Sequence, residues 1–517
     1  MGSKIKGRGI MGHSKNLTRR HFVMSTAAAS LLAAAGVAGC SPSSQEGSEA
    51  GSSSSGSASD ESTDVVIVGG GFSGMTAAVT LSDHYPDLNF ILLEQEDSLG
   101  GSLQYSDGYF IGFSEDYNED PTSTATAEQM VDLANTAAAD VIDNGYAERD
   151  TEMNEELAEN VYSQLPELVD ELFEMGVPFA TEIDLDSPYS QPEYTDEVYS
   201  VNTDDLGAGF ANAVIEYIEG NGIDVRTNSQ VTELVVEDGT VTGVKVSSND
   251  GDYTITASAV LMAMGGFAAN SDKIDEYLPD FSDVSFFPNP GATGMAIDFT
   301  QQFDTPMVSD GVFGGVVADD DSYVITACNF LVNEEGARFT DESQNWYVLL
   351  WPVIENTQAA SGWCICDATY AEENADEVDP KLEAGSMIEY DSIEALCEGE
   401  GIDQAGLEAS IEAYNAAVDA GEDPEFGLPV DSAHKVETAP FYAEKTTTYA
   451  FGTIRSIQVN EQCQVLDGDG AAVPGLFATG ETAVGNVIFG QYPGGGSGNS
   501  FAGNSGRYAA IAIAESL

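Results

Sequence analysis

Three glycines at a fixed spacing, Gly69-x-Gly71-x-x-Gly74, stand directly behind the run Val65-Val66-Ile67-Val68 and directly ahead of an apolar stretch over 75–81. The run is β-branched and continuous, the pattern of a strand buried on both faces. The first glycine allows a tight strand-to-helix turn, the second lets backbone approach a pyrophosphate, and the third lets helix and strand pack closely. Phe72 and Ser73 then open a helix whose free N–H groups and positive dipole end suit phosphate. A second apolar strand, Phe90-Ile91-Leu92-Leu93, ends in Glu94, 20 residues beyond Gly74. There an acid meets the ribose hydroxyls of a bound dinucleotide.

Two further stretches decide which dinucleotide. Gly100-Gly101-Ser102 follows Glu94, and Gly475-Leu476-Phe477-Ala478-Thr479-Gly480-Glu481 lies near the C-terminus. An apolar strand ending in Ala-Thr-Gly-Glu resembles the second flavin contact of FAD enzymes, which a nicotinamide enzyme does not need. The implied cofactor is FAD. Gly101 and Ser102 are expected near its phosphates or ring, Gly480 and Glu481 near its ribityl chain, and Val231 against adenine through its backbone. Ser497 and Ser500 open a last helix whose dipole would steady a reduced, anionic flavin.

Other chemistries find little support. His84 and His434 are the only histidines beyond residue 39, too few for a zinc site built on imidazole, and no metal site is expected. Cys40 aside, Cys328, Cys364, Cys366, Cys397 and Cys463 are odd in number, and no C-x-x-C-H haem signature occurs. Cys364 and Cys366 alternate on an expected strand and read as core thiols. Residues 1–39 hold 6 of the 16 Lys and Arg and none of the 88 acids, leaving 10 cations against 88 acids, a net charge of −78. Such a chain does not bind nucleic acid through phosphates, nor anionic lipid through charge. Its acids read as a solvated surface, or as a field that steers a basic electron-transfer partner.

The elements that must position these residues begin behind an export segment. Thr18-Arg19-Arg20-His21-Phe22-Val23 resembles a twin-arginine signal, the stretch 27–37 is too short to span a membrane, and Val37-Ala38-Gly39-Cys40 resembles a lipobox. The expectation is a signal peptide over 1–39, a lipidated Cys40 as the only membrane contact, a flexible Ser/Gly-rich tether over 40–62, and an extracytoplasmic location. Beyond it, 151–177 reads as a helix closed by Gly176, and Gly207 leads another through Ile218. Residues 231–246 read as a hairpin turning at Asp238-Gly239, and 259–264 as a buried strand ending in Gly265-Gly266.

Taken together, these segments are similar to the flavoprotein family of soluble fumarate reductases and 3-ketosteroid dehydrogenases. Gly291-Ala292-Thr293-Gly294 and Asn333-Glu334-Glu335-Gly336-Ala337-Arg338-Phe339 add to the likeness. It implies an α/β fold: a Rossmann-like FAD-binding domain discontinuous in sequence, 63–270 and 436–517, with an inserted α+β capping domain over 271–435. The active site would lie where cap meets flavin.

At the reactive positions the chain departs from the fumarate-reducing branch. Trp346, followed by Tyr347, stands where that branch has its proton-donating arginine. Phe451-Gly452-Thr453 stands for its His-His-Thr, and Gln491-Tyr492-Pro493-Gly494-Gly495 for its carboxylate clamp. Dicarboxylates need cationic forks, so fumarate is not the expected substrate. Tyr492-Pro493-Gly494-Gly495-Gly496 instead resembles the ketosteroid branch, where the tyrosine hydroxyl and last glycine N–H polarise a ketone oxygen. Carried over, those roles fall to Tyr492 and Gly496. Tyr347, with Trp346 as rival occupant, would handle the proton at the α carbon. Arg455, at a position usually glycine in the fumarate branch, would bind a substrate anion or form a surface ion pair.

The expected enzyme is an exported FAD-dependent ene-reductase for an enone or enoate of a bulky or aromatic metabolite, serving anaerobic respiration. Its electrons would come from a separate membrane-linked donor, a quinone-linked cytochrome or flavoprotein. The alternatives are a ketosteroid-type dehydrogenase working oxidatively, and a non-catalytic FAD-containing binding lipoprotein.

Overall fold

The continuous apolar runs become the centre of a parallel sheet, because helices and loops cover both of its faces. In the computed structural model, which describes residues 60–112, 126–147, 152–179, 198–199, 205–318 and 330–517, this sheet starts at β1 (Glu61–Val68). The export signal, Cys40, most of the tether and Cys328 lie outside the described residues. The expected tether ends too late: Glu61, Ser62 and Thr63 already pair with Ile255, Thr256 and Ala257, extending β1 along a longer neighbour.

Helix α1 (Phe72–His84) follows the glycine turn, and β2 (Phe90–Leu93) runs parallel to β1. The single helix expected over 151–177 is two, α2 (Glu155–Tyr162) and α3 (Leu165–Glu174). Pro166 causes the break: it lacks an N–H and is accommodated only in the first turn of α3. Helix α4 (Leu206–Asn221) ends at Gly222, left-handed with φ 68°, and leads to β3 (Val225–Arg226). The hairpin is β4 (Ser229–Glu237) and β5 (Thr240–Ser248), joined through Asp238 and Gly239 with φ 50° and 83°. Strand β6 (Gly251–Met262) alternates buried and exposed beside the hairpin, then is wholly buried from Ala259 to Met262 where it enters the parallel centre.

A second sheet contains β7 (Val312–Ala318), β8 (Leu331–Val332), β9 (Trp363–Asp367), β10 (Met387–Tyr390) and the long β11 (Phe441–Thr453). The boundary expected at 436 falls before β11, yet β11 is the strand on which this second sheet is assembled. The chain rejoins the first sheet at β12 (Gln464–Leu466) and β13 (Ala472–Ala478), then ends in α5 (Ser497–Ser516). The first sheet has the order β12-β13-β6-β1-β2-β3, with β4 and β5 continuing from β6.

Register makes the strand ends level. Val68 pairs with Met262 and Leu93, and Ala478 with Met262. The residues after these four positions, Gly69, Ala263, Glu94 and Thr479, therefore share one edge. In an open α/β sheet, ligands bind outside that edge. The main apolar core is continuous from the first sheet into the second: Val66, Leu261 and Phe501 belong to it with Phe313, Trp346, Trp351 and Ala450.

Candidate functional site

The cofactor cradle is shaped by backbone approach. Gly69 has φ 107°, and a Cβ there would stand 2.2 Å from the carbonyl oxygen of Ala263 at the end of β6. A Cβ on Gly74 would meet the Gly69 carbonyl oxygen at 1.9 Å, so only glycine lets α1 sit this close to β1. Gly71, the N-cap of α1, offers no side chain to the first-turn N–H groups, and a Cβ on it would meet nothing nearer than 4.0 Å. The second glycine turn docks beside it, with the Gly100 N–H donating to the Gly70 carbonyl at 2.8 Å. Gly101 and Ser102 open the 3-10 turn Gly101–Tyr105 at the same place.

Glu94 fastens this loop from the β2 side. Its carboxylate accepts from Gly70 N–H at 2.6 Å and Glu96 N–H at 2.9 Å. Burial raises its pKa above the ordinary carboxylate range, against the lowering effect of those N–H groups. The Ser229 N–H donates to the Glu94 carbonyl, which brings the start of β4, and buried Val231, beside the same acid. Phe72 and Ser73 are buried in the first turn of α1, and α5 crosses it there: Thr76 Oγ1 donates to the Gly503 carbonyl at 3.0 Å.

On the other side of β1, the ends of β6 and β13 form a cleft. It is small and partly open, and Gly265, Gly266, Arg455, Ser456, Glu481 and Thr482 are among its lining. Glu481 is held by the Thr453 N–H at 2.7 Å and the Thr453 hydroxyl at 3.3 Å. Its pKa is pushed up to about 7, by burial first, with the hydrogen bonds from Thr453 and Gly266 opposing. Thr482 Oγ1 ties the two strand ends together, accepting from Met264 N–H and donating to the Gly265 carbonyl, each at 3.0 Å. Arg455 forms none of the ion pairs found among the described residues, so the surface-pair alternative is not what this geometry shows. Its Nη1 donates to the Ser309 carbonyl at 2.7 Å, and its buried Nε has no partner.

An aromatic cluster closes the site from the second sheet. Tyr492 is buried, and Phe313, Trp346, Tyr347 and Phe451 meet its ring edge-on, with centroids 5.5, 6.3, 5.9 and 5.9 Å away. Trp346 also stacks on Tyr449 at 5.8 Å. Both rivals for the proton position, Trp346 and Tyr347, thus touch Tyr492. Gly496 N–H donates to the Tyr492 hydroxyl at 3.1 Å. The turn between them is glycine-built, with Gly494 at φ 151° and Gly496 at φ 85°. Burial drives the Tyr492 phenol well above its ordinary value, so it stays a proton-bearing donor at neutral pH. Trp351 Nε1–H donates to the Gly490 carbonyl at 2.7 Å, bracing the same loop. Ser497 and Ser500 sit buried in the first turn of α5; their hydroxyls donate to the Gly494 and Ile111 carbonyls, both at 2.8 Å.

Sequence reasoning did not assign Phe313, Tyr449 or Trp351 to the site, and it noted Phe451 only as what stands in place of a histidine. Tyr449 and Phe451 carried a signal, since residues two apart on a strand face one side. Phe313 and Trp351 come from separate elements and carried none.

The residues fit FAD. The glycine turns leave backbone N–H groups and room at Gly71, and the strand ends hold buried polar atoms without partners, Arg455 Nε and Thr479 Oγ1. Comparison with known proteins agrees. NADH:acrylate oxidoreductase of Vibrio harveyi is 25% identical over 483 residues, across 81% of this chain and 47% of the relative, so the chain spans about half the length of that protein. Vinyl phenol reductase of Lactiplantibacillus plantarum is 25% identical over 495 residues, across 86% of this chain and 95% of the relative. The fold of 3-ketosteroid-Δ4-(5α)-dehydrogenase from Rhodococcus jostii RHA1 superposes with a TM-score of 0.68 at 20% identity, covering 89% of this chain and 99% of that one. A sequence profile of the FAD binding domain matches residues 64–498. The chain therefore belongs to the FAD binding domain family and is an FAD-dependent oxidoreductase.

Proposed function

We propose that this protein reduces an activated C=C bond, in an enone or enoate of a bulky or aromatic small molecule, and that fumarate is not its substrate. The observation that carries the reading is the Gly496 N–H···Tyr492 hydroxyl pair inside a cluster of aromatic rings. Bound FAD supplies hydride from N5. The chain's own residues supply the rest. The Tyr492 hydroxyl, which accepts from Gly496 N–H, would donate to a carbonyl oxygen as negative charge develops on it, and a donor fixed before the reaction stabilises that charge most in a dry site. Tyr347 delivers a proton to the α carbon. The buried rings of Phe313 and Trp346, with partly buried Phe451, would keep water away and give the substrate an apolar surround. Vinyl phenol and acrylate reductases among the relatives are consistent with C=C chemistry.

The expected contacts to the cofactor follow the cradle. Gly69, Gly71, Phe72, Ser73, Gly74, Gly101 and Ser102 would hold the pyrophosphate region, and Glu94 and Val231 the adenosine. Gly265, Gly480, Glu481, Ser497 and Ser500 would hold the flavin half. The protein would act outside the cytoplasm, exported by its twin-arginine signal and anchored by a lipidated Cys40. Among the described residues no helix is long and apolar enough to cross a membrane. Electrons would then reach it from a separate membrane-linked donor.

The test is an anaerobic assay of the holoprotein with reduced viologen against a panel of aryl enones, cinnamate-like enoates, acrylate and fumarate. Turnover led by aromatic acceptors is expected. Fumarate as the best acceptor would overturn the proposal, and dye-linked oxidation of saturated ketones without enone reduction would reverse its direction.

A further inference from the structure

The order of strands says which half of the cofactor each side of β1 receives. The pyrophosphate would be held at the glycine turn after β1. Glu94, the acid for the adenosine ribose, lies on the β2 side. The flavin half must therefore run the other way, across the ends of β6 and β13. The cleft holding Arg455 opens at those ends.

Arg455 is built to face that cleft. It follows β11, whose Phe451 touches Tyr492 and whose Thr453 holds Glu481, so one short stretch passes from the aromatic cluster to the cofactor edge. The Ser309 carbonyl holds Nη1, and Nε is buried without a partner. No carboxylate pairs with it among the described ion pairs, although Glu481 lines the same cleft. A guanidinium spreads its positive charge over a plane that presents several N–H donors. Positive charge next to a flavin tunes its electronics.

We propose that Arg455 acts on the flavin rather than on the substrate, as a fixed cation that stabilises the negative charge the cofactor gains when two electrons and one proton reduce it. Its consequence is a higher reduction potential, which eases uptake of electrons from a donor such as a reduced viologen. The inference rests on the FAD assignment and is independent of which alkene is reduced.

The experiment is dye-equilibrated redox titration and sulfite titration of purified holoproteins. Sulfite adds its lone pair at flavin N5 and leaves negative charge on the ring, so it reports the same stabilisation. Wild-type protein is expected to form the adduct. Arg455→Gln is expected to keep FAD, lower the two-electron reduction constant about tenfold, equal to about 30 mV, and weaken sulfite binding at least tenfold. Arg455→Lys should fall between. A wild-type flavin inert to sulfite, or an R455Q potential equal to wild type, would overturn the proposal and leave Arg455 as a brace for Ser309. An acceptor panel that turns out differently, with the R455Q shift intact, would instead sink only the substrate reading.

Discussion

Glu481 is the residue where burial and chemistry pull hardest against each other. It lines the cleft at the ends of β6 and β13, with its pKa pushed up to about 7 from an ordinary 4.5. Between those two values the folded apoprotein keeps a proton that the unfolded chain has released. Its contribution therefore falls as pH rises across that window. Glutamine at 481 removes the effect. The melting temperature of the E481Q apoprotein, relative to wild type, is expected to climb by a few degrees between about pH 5 and about pH 8. Differential scanning fluorimetry of cofactor-stripped protein measures this, and a gap that does not change with pH contradicts it. The 88 acids elsewhere also repel one another as pH rises, but they do so equally in both proteins.

The cofactor cradle needs a level edge where β1, β6 and β13 end, with α1 close against it. Alanine at Gly74 would place a Cβ 1.9 Å from the Gly69 carbonyl oxygen, with backbone on both sides of the clash. The G74A protein is expected to lose bound flavin and about 1–3 kcal/mol of stability, read by visible absorbance and urea unfolding. A yellow G74A protein of wild-type stability would mean that the turn is looser than its geometry. This region was legible in the sequence because strand, turn and helix are adjacent there and each glycine answers a local steric demand. The hairpin at Asp238-Gly239 was legible for the same reason. The two-helix break at Pro166 was available in the sequence, but the strong apolar periodicity across 155–174 masked it. The aromatic cluster was only half legible. Tyr492, Trp346 and Tyr347 were found through a family resemblance, whereas Phe313 joins them only because β7 pairs with β11 across more than a hundred residues of chain. Pairing at that distance leaves no local trace. Arg455 was noticed as a cation out of place, and its side of the sheet became readable only from strand order.

Across the whole molecule the dominant feature is charge. Beyond residue 39, ten Lys and Arg face 88 acids. The few cations that are buried serve the fold: Arg338 is clamped by Glu342 at 2.7 Å and Asp423 at 3.1 Å, and Lys381 by Glu444 at 2.6 Å. What remains outside is a strongly negative field that attracts cationic reductants and repels anionic ones. Reduction of the bound flavin by the viologen radical cation should slow several-fold when salt is raised from about 20 mM to about 500 mM, while reduction by dithionite should quicken. Stopped-flow traces at the two salt levels check this. Equal salt responses for both reductants would show that electrons enter where the surface field is weak.

In the proposed reaction a phenol braced by a backbone amide, rather than cationic forks, activates the substrate. Rapid mixing of pre-reduced holoprotein with an aryl enone tests it most directly, comparing wild type with Tyr492→Phe. Loss of one such donor is expected to slow flavin reoxidation about 100- to 1000-fold, with viologen reduction of the flavin unchanged. Reoxidation of Y492F at the wild-type rate would contradict the account.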